Sequence, residues 1–416
     1  MTSNPYDLVI FGATSFVGRI LCRYLAAHAG PELRWAAAGR SPVRLEALKS
    51  DLGPAAADLP TVLADVHDEA TLRALCAQTR VVVSTVGPYA LYGEPLVKAC
   101  AETGTDYLDL AGEVQWIARM IERYQDTARK TGARLVPCSG FDSIPSDLGV
   151  FHLQQVARER FGAPCPRVKM RVRRMRGGTS GGTVASLLNA IREAAADPAV
   201  RKLMGNPYAL CPSSDRPTFR QPDVKRAQWD ADAHSWVAPF VMAAINTRVV
   251  QRSQCLLSHA YGEPFAYDEA VSTGRGFRGA LRAGMITLGL GGLILGASFA
   301  PTRTLLARIL PKPGEGPDPA QQEAGCWDMR FFGRTADGRE LRTRVHGDRD
   351  PGYGSTGRML GQAAICLALD TPGESYPGGF WTPASLFGAR LIERLQAHAG
   401  VHFEVVPPEG AKGSPS

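Results

Sequence analysis

The sequence predicts an α/β protein with a doubly wound parallel sheet, into which a second, mixed α/β domain is inserted. Three observations support this fold class. Short apolar runs alternate with stretches of helical period through the first 150 residues. A glycine-containing turn joins the first such run to the first helical stretch. Beyond residue 160 the alternation stops, and segments with one apolar and one polar face follow.

The elements of the first part follow one another along the chain. Residues 7–11 are an apolar run that ends at Gly12, as expected of a buried parallel strand. Residues 16–25 are apolar at helical spacing, and Ser41 followed by Pro42 predicts the start of a second helix. The remaining strands are predicted at 34–38, 61–64, 81–85, 106–110 and 134–138, and the remaining helices at 69–77, 95–102 and 114–131.

The second part is predicted to form an antiparallel or mixed sheet with helices. Residues 167–176 begin by alternating apolar and basic side chains, which predicts a strand with one buried and one cationic face. Asp337-Gly338 lies between two strand-like segments and predicts a hairpin. Further predictions are a glycine-rich turn at 177–183, a helix at 184–196, an irregular loop over 205–235 and a helix over 353–369 that returns to the first domain.

These elements define two domains. The first is predicted to cover residues 1–160 and to be completed by about 350–406. The second, expected to bind substrate, covers 161–349 and contains an apolar segment at 283–302. Residues 407–416 are polar, with proline and glycine, and are predicted to be disordered.

Composition narrows the function classes. A net charge of +7 suits an anionic cofactor, a carrier-bound substrate or a membrane face. Without a zinc finger, an RNA-stacking motif or a long basic tail, a nucleic-acid partner is not expected. Nine cysteines without a CxxC pair predict buried thiols in a reducing compartment and no metal site. Residues 1–5 lack the features of a signal peptide, so the protein is expected in the cytoplasm.

The turn after the first strand is the strongest candidate binding site. Gly12 and Gly18 take the first and closing glycine roles of a dinucleotide fingerprint in a wider spacing, with Ser15 at the middle position. The N–H groups at the helix start would hold a pyrophosphate, which makes the fold Rossmann-type. A plain tight turn is the alternative. The predicted cofactor-binding residues of this turn are Gly12, Ala13, Thr14, Ser15, Phe16, Val17 and Gly18.

The end of the second strand indicates which dinucleotide binds. NAD-binding folds place an acidic residue there, whereas this chain has Arg40 and Ser41. A guanidinium can hold a 2′-phosphate that a carboxylate would repel, so the sequence favours NADP(H). The alternative for Arg40 is a solvated surface arginine. Asp65 and Val66, after the third strand, are expected beside the adenine, although Asp65 could equally be a helix cap.

The loop after the fourth strand is predicted to pass near the nicotinamide, because ligands in such sheets bind at the carboxyl ends of strands. Val86, Gly87 and Pro88 are the expected cofactor contacts, and Tyr89 and Tyr92 are the candidate proton donors. The alternative for both tyrosines is packing.

Two later strand ends also carry polar clusters. One cluster contains Asp109 and Glu113, and the other runs from residue 139 to 147. Capping and turn formation are the expected roles for most of these residues, with Ser146 as a natural cap. Asp142 and Ser143 are the next catalytic candidates after the two tyrosines.

Residues 283–302 form a run of 20 residues without a charge, with basic residues on both sides. The length reaches that of a membrane span, but five glycines and a proline weaken that interpretation. Basic flanks on both sides favour a segment lying on an anionic leaflet. A buried helix and a true span are the alternatives. The protein is therefore expected to be peripheral on the inner face of the plasma membrane.

Together these residues resemble the saccharopine dehydrogenase-like oxidoreductases, and among them the bacterial trans-acting enoyl reductases. The resemblance covers roughly residues 6–400. The motifs that carry it are residues 11–18, 38–41, 85–95, 140–147, 312–317 and 350–353.

The resemblance implies a Rossmann domain with an inserted domain, use of NADPH, and reduction of an acyl double bond on a polyketide-type lipid precursor. Such enzymes act in trans for a synthase that lacks its own reductase, in glycolipid assembly. Two alternatives remain open: an imine or amino-acid oxidoreductase of saccharopine dehydrogenase type, and a noncatalytic, membrane-associated NADP-binding protein.

Overall fold

The first part of the chain forms a seven-stranded sheet in which all strand pairs are parallel. The computed structural model describes residues 4–178, 181–309 and 319–407. The doubly wound parallel sheet predicted from the sequence is confirmed. In spatial order the strands are β13 (Gly379–Phe380), β6 (Arg134–Val136), β5 (Asp106–Leu108), β4 (Thr79–Ser84), β1 (Tyr6–Phe11), β2 (Trp35–Gly39) and β3 (Thr61–Leu63).

Helices cover both faces of this sheet because its central strands are apolar on both sides. On β1, Leu8 and Ile10 share one core with Leu21, whereas Val9 and Phe11 belong to the core on the opposite face. The helices of this part are α1 (Phe16–His28), α2 (Pro42–Leu52), α3 (Glu69–Cys76), α4 (Tyr89–Tyr92), α5 (Glu94–Thr103) and α6 (Val114–Thr131).

A second seven-stranded sheet is mixed, as predicted. In spatial order its strands are β14 (Val401–Val405), β12 (Glu340–Gly347), β11 (Cys326–Arg334), β7 (Arg167–Arg176), β10 (Ala266–Gly274), β9 (Ser235–Pro239) and β8 (Gln228–Asp230). Only β7 and β10 pair in parallel. β11 and β12 form the predicted hairpin, where Gly338 has φ +90°. β8 lies inside 205–235, so that range is not wholly irregular.

Longer helices join the two sheets. The chain leaves the carboxyl edge of the first sheet in α7 (Ile144–Phe161), which packs on β11. A Cβ on Gly149 would lie 2.2 Å from the ring of Phe331, so this close packing requires glycine. The other helices are α8 (Gly181–Ala196), α9 (Pro198–Gly205), α10 (Ala243–Leu256), α11 (Gly276–Ser298), α12 (Ala300–Ile309), α13 (Pro319–Glu323), α14 (Thr356–Ile365), α15 (Pro383–Leu386) and α16 (Ala389–His398).

The helix predicted over 353–369 is confirmed as α14 with a π-type turn at each end. It packs on α1, where Gln362 Nε2 donates to the hydroxyl of Tyr24 at 2.7 Å. The chain after residue 370 contributes one strand to each sheet. β13 joins the first sheet, and β14 pairs with β12 in the second. The stretch 350–406 therefore contributes to both sheets and not to the first alone.

The cationic face predicted for β7 is partly buried in the structure. Arg171 is 1% exposed. Its guanidinium contacts Asp230 at 2.6 Å and Asp268 at 2.6 Å, and Lys169 contacts Asp230 at 3.2 Å. These carboxylates compensate the guanidinium, since an unpaired charge in the interior would be strongly destabilising.

Helix α11 contains most of the uncharged segment, and its glycines do not interrupt it. Among the described residues it is the one helix long and apolar enough to cross a membrane, and 11% of its apolar window is buried. The alternative of a buried helix is therefore wrong.

Three expectations fall wholly or partly outside the described residues: the motif at 312–317, part of the glycine turn (Thr179 and Ser180), and the tail at 408–416.

Candidate active site

The turn between β1 and α1 has the backbone geometry of a dinucleotide-binding loop. Gly12 has φ +81°, and a Cβ on it would lie 2.6 Å from Val86 Cγ2. A Cβ on Gly18 would lie 2.2 Å from the carbonyl oxygen of Gly12, so α1 can approach the loop only because residue 18 is glycine. The N–H groups of Gly12 and Ala13 donate to Ala38 O at 3.0 and 3.1 Å. The two glycines thus have the geometric roles predicted for them.

Ser15 stands at the middle position of the fingerprint and caps α1. Its Oγ accepts from Gly18 N at 2.9 Å and lies 3.0 Å from Thr85 Oγ1. Thr85 Oγ1 donates to Gly12 O at 2.9 Å, so the strand end β4 supports the loop. Thr85 was missed by sequence reasoning, because its role depends on β1 and β4 being neighbours. The first turn of α1 keeps N–H groups without partners inside the helix, available to an anion.

The end of β2 carries the basic residues expected for a 2′-phosphate. Arg40 is exposed at the strand end, and Ser41 caps α2 by accepting from Arg44 N at 3.4 Å. Arg44, in the first turn of α2, was not singled out from the sequence. A groove beside α2 is lined by Thr14, Arg19, Arg44, Ala47, Leu48 and Asp51, and Arg40 is not part of this lining.

Asp65 and Val66 follow β3 as predicted, but Asp65 does not cap the next helix. Its Oδ1 accepts from His67 N at 3.0 Å within the turn. The cap of α3 is Asp68, which accepts from the N–H groups of Ala70 and Thr71. Asp65 therefore shapes the turn at this edge of the sheet, and its contact with the adenine stays a prediction.

The loop after β4 places the two candidate tyrosines in different surroundings. Tyr89 is buried; its hydroxyl donates to Ser84 O at 3.0 Å and accepts from Leu110 N at 3.2 Å. Burial raises the pKa of Tyr89 well above its usual value. These contacts favour the packing alternative for Tyr89. Tyr92 is 38% exposed, so its hydroxyl role stays a prediction.

Glu113 fixes the backbone of the same loop, with Val86, Gly87 and Pro88 just before it. Its carboxylate accepts from Tyr89 N at 3.2 Å and from Ala90 N at 2.5 Å, and Ser186 of α8 lies close enough to influence its pKa. Burial raises the pKa of Glu113. This carboxylate therefore joins the nicotinamide-side loop to a helix of the second domain, a role that sequence reasoning did not find.

The polar clusters after β5 and β6 divide between scaffold and candidate chemistry. Asp109 is wholly buried and accepts from Tyr107 Oη at 2.9 Å and Ala111 N at 2.8 Å, so it shapes the turn. Helix α7 begins at Ile144, so its N-cap residue is Ser143. Ser146, the predicted cap, lies inside the first turn of the helix.

Asp142 lies on the same edge and faces the chain segment at Gly112. A Cβ on Gly112 would lie 4.0 Å from Asp142 Oδ2. Burial raises the pKa of Asp142 to about 6, so its pKa lies close to neutral pH. Burial raises the pKa of Asp109 to about 7, but Asp109 is wholly buried, whereas Asp142 is partly exposed and so stays a candidate for proton exchange.

Comparison with known proteins agrees with this geometry. Residues 8–136 match the family described as the saccharopine dehydrogenase NADP binding domain. The chain also shares its fold with apo saccharopine dehydrogenase (L-Glu forming) from Saccharomyces cerevisiae, with a TM-score of 0.53 at 15% identity, covering 97% of this chain and 100% of that one.

The sequence relatives are more specific. A Mycobacterium tuberculosis protein, provisionally named a trans-acting enoyl reductase, is 41% identical over 97% of this chain and 99% of its own length. Trans-acting enoyl reductases of Mycobacterium bovis and Mycobacterium ulcerans are each 39% identical, over 96% and 94% of this chain and 97% and 96% of their own lengths. The loop geometry, the basic end of β2 and these near full-length matches lead to one conclusion: the chain belongs to the family of trans-acting enoyl reductases, NADPH-dependent oxidoreductases with a saccharopine dehydrogenase-type NADP-binding domain.

Proposed function

We propose that this protein reduces a carbon–carbon double bond of a long acyl intermediate made by a polyketide synthase, as a step in lipid or glycolipid assembly. It receives that substrate at the anionic inner face of the plasma membrane. The observation that carries the proposal is an exposed apolar surface on α11 and α12 that is connected through α8 to the nicotinamide-side loop. We call residues 276–309 the α11–α12 surface.

The α11–α12 surface reverses the usual distribution of side-chain sizes in a surface helix. Its buried positions on α11 are the small residues Gly279, Ala283 and Ala297. Its large apolar side chains face outward, whereas a soluble surface helix turns such residues toward the core. Those more than half exposed are Phe277, Leu281, Met285, Leu288, Leu295, Phe299, Leu305 and Ile309. Such a surface suits insertion into the apolar layer of a lipid leaflet.

Both ends of α11 contact the same domain, which favours a helix lying on the membrane over one crossing it. At its start, Gly279 packs on Gly274 so closely that a Cβ would lie 2.2 Å from the carbonyl oxygen of Gly274. Near its end, wholly buried Ala297 packs with Val184 and Leu188 of α8. α12 then packs back on α11. A crossing helix would have to carry one of these ends through the bilayer.

The charges around the α11–α12 surface match an anionic leaflet. Residues 276–309 contain no aspartate or glutamate. The basic residues there include exposed Arg278, Arg282 and Arg308, with Arg275 just before them. Each such residue near an anionic surface contributes about 1 kcal/mol of attraction. Apolar insertion and this attraction together would give reversible, salt-sensitive binding.

Helix α8 supplies the route from the α11–α12 surface to the cofactor. One of its faces packs on Ala297 and Leu306. It also contacts the first domain: Glu193 pairs with Arg119 at 3.4 Å, and Ser186 lies close enough to Glu113 to affect the pKa of that carboxyl. An acyl chain that follows α8 would therefore reach the nicotinamide-side loop without passing through water.

At that loop, bound NADPH supplies the hydride for reduction of the double bond. The protein holds the acyl group against the carboxyl edge of the first sheet and excludes water. Groups at this edge stabilise negative charge on the acyl oxygen and deliver a proton. Asp142 and Tyr92 are the candidates for the proton.

Vesicle binding tests the membrane part of the proposal. We expect the protein to sediment with vesicles of phosphatidylglycerol and phosphatidylcholine at low salt and to be largely released at high salt. Leu288→Asp with Leu295→Asp should abolish sedimentation and leave NADPH binding intact. Val43→Asp is the matched control, because Val43 and Leu288 are each 78% exposed but Val43 lies on α2. Wild-type protein that ignores these vesicles would refute the membrane role.

Isotope transfer tests the chemistry. Deuterium from the nicotinamide C4 position of NADPH should appear in the reduced product of an enoyl thioester. Oxidation of NADPH with amino-acid and oxo-acid pairs, but not with enoyl thioesters, would instead favour an imine or amino-acid oxidoreductase. Absence of transfer to any acyl substrate would favour a noncatalytic NADP-binding protein.

A further inference from the structure

Outside the active site, the structure brings together a group of metal-ligating side chains that are far apart in the sequence. One oxygen of Asp215, the Sγ of Cys255 and one ring nitrogen of His259 all lie within 4.8 Å of one another. Cys211 and Cys255 belong to the same small buried cluster, together with Tyr208. Thiolate, imidazole and carboxylate are the ligands that Zn²⁺ takes in proteins. We call Cys211, Asp215, Cys255 and His259 the thiol–imidazole cluster.

The imidazole is oriented as in protein zinc sites. Nε2 of His259 lies 2.7 Å from Asp215 Oδ1, on the side where Cys255 also lies. Nδ1 lies 2.8 Å from Glu263 Oε1. A carboxylate on one ring nitrogen fixes the tautomer that presents the lone pair of the other nitrogen to a metal. Glu263 is therefore placed as the outer partner of a histidine ligand.

The backbone that carries His259 is held in an unusual conformation. After the end of α10, Ser258 has φ +54° and His259 has φ +58°. Residues other than glycine adopt this region rarely, and such strain tends to occur at functional sites. Here it turns the imidazole of His259 back toward Asp215 and Cys255.

The cluster also has the access that a metal ion needs. The thiols of Cys211 and Cys255 are buried, at 4% and 7% exposure. The side chains of His259 and Asp215 are 21% and 44% exposed. An ion can therefore enter from solvent at the imidazole and carboxylate, and the thiols lie deeper.

We propose that Asp215, Cys255 and His259 bind one Zn²⁺ ion, and that Glu263 is the outer partner of the imidazole. The ion would fasten the 206–227 loop to the end of α10. The same helix, α10, supplies Asn246, whose side chain donates to Ser146 at 3.1 Å at the start of α7. An ion that holds the end of α10 would therefore have a structural role. The proposal does not depend on the substrate of the enzyme.

The test is titration of the reduced, metal-free full-length protein with Co²⁺ as a spectroscopic probe, followed by competition with Zn²⁺. We expect one Co²⁺ per chain, with the absorption of a tetrahedral thiolate site, and displacement by Zn²⁺. Bound Zn²⁺ should also raise the unfolding temperature, because an ion that binds only the folded chain stabilises it.

Variants separate this site from adventitious binding. Cys255→Ser and His259→Asn should lose the Co²⁺ spectrum; asparagine is chosen because it tolerates the positive φ. Glu263→Gln changes a side chain that is 68% exposed, and it should weaken Co²⁺ binding by about 10–100-fold. Cys326→Ser is the matched control, since Cys326 lies on β11 outside the cluster, and it should bind as wild type.

Three outcomes would overturn the proposal. One is a wild-type protein without the thiolate absorption at stoichiometric Co²⁺. Another is equal Co²⁺ affinity in wild type and Glu263→Gln. The third is a native protein in which mass spectrometry finds Cys211 and Cys255 joined as a disulfide under reducing conditions.

Discussion

The cofactor loop makes a quantitative prediction at Gly12. In Gly12→Ala the new Cβ meets a backbone at φ +81° and neighbours at 2.6 Å (Val86 Cγ2) and 2.9 Å (Thr85 Oγ1). Gly132→Ala is the matched control, because Gly132 has φ +88° and nothing within 4 Å of the Cβ position. Both variants should lose about 1–2 kcal/mol for the positive φ, and Gly12→Ala a further ~1–3 kcal/mol for overpacking.

The assay is urea unfolding of both variants, with NADPH titration by fluorescence alongside. Gly12→Ala should be the less stable variant and bind NADPH weakly, whereas Gly132→Ala should bind it normally. Adding Val86→Ala to Gly12→Ala should restore part of the unfolding free energy, because it removes the closest atom. Equal destabilisation in Gly12→Ala and Gly132→Ala would refute the reasoning.

The remaining predictions concern the 2′-phosphate, the two tyrosines and pH. Arg40→Ala should weaken NADPH by about 1.5–3 kcal/mol, roughly tenfold or more, and NADH far less; equal losses would contradict the assignment. Tyr89→Phe should lower the unfolding free energy by about 1–3 kcal/mol, because it leaves the buried partners of the hydroxyl unpaired. If Tyr92 donates the proton, Tyr92→Phe should lower turnover by about 10²–10⁴-fold at unchanged NADPH affinity. Burial raises the pKa of Asp147 to about 7. The folded chain therefore keeps a proton that the unfolded chain loses at about pH 4, so stability should fall as pH rises from about 4 to about 7. Asp147→Asn should reduce this slope in urea titrations without removing it, because burial also raises the pKa values of Asp109, Asp142 and Glu269. An unchanged slope would contradict the pKa.

The first domain could be predicted mostly from short, local sequence patterns. The apolar runs, the capping Ser41 and the glycines at 12 and 18 depend on only a few neighbouring residues, so the alternation of strands and helices and the cofactor loop were predictable. The NADP preference was also local, because it depends on which residues end β2.

The unpredicted features depend on partners that are distant in sequence. Tyr89 looks like a proton donor until β4 and β5 bring its hydroxyl between Ser84 and Leu110. Arg171 looks exposed until β8 and β10 supply carboxylates. The thiol–imidazole cluster forms only when the loop around Asp215 meets the end of α10. No spacing rule could reveal these contacts, because each depends on the tertiary fold.

β13 and β14 belong to different sheets, and this affects how the chain folds during its synthesis on the ribosome. During translation, each sheet would await a strand from the final stretch of the chain, since β13 closes one edge of the first and β14 pairs with β12 in the second. Until that stretch leaves the ribosome, β6 and β12 each have an open edge, and open edges favour aggregation. Removal of residues 379–407 should therefore impair both halves at once, and expression of either half alone should give insoluble protein.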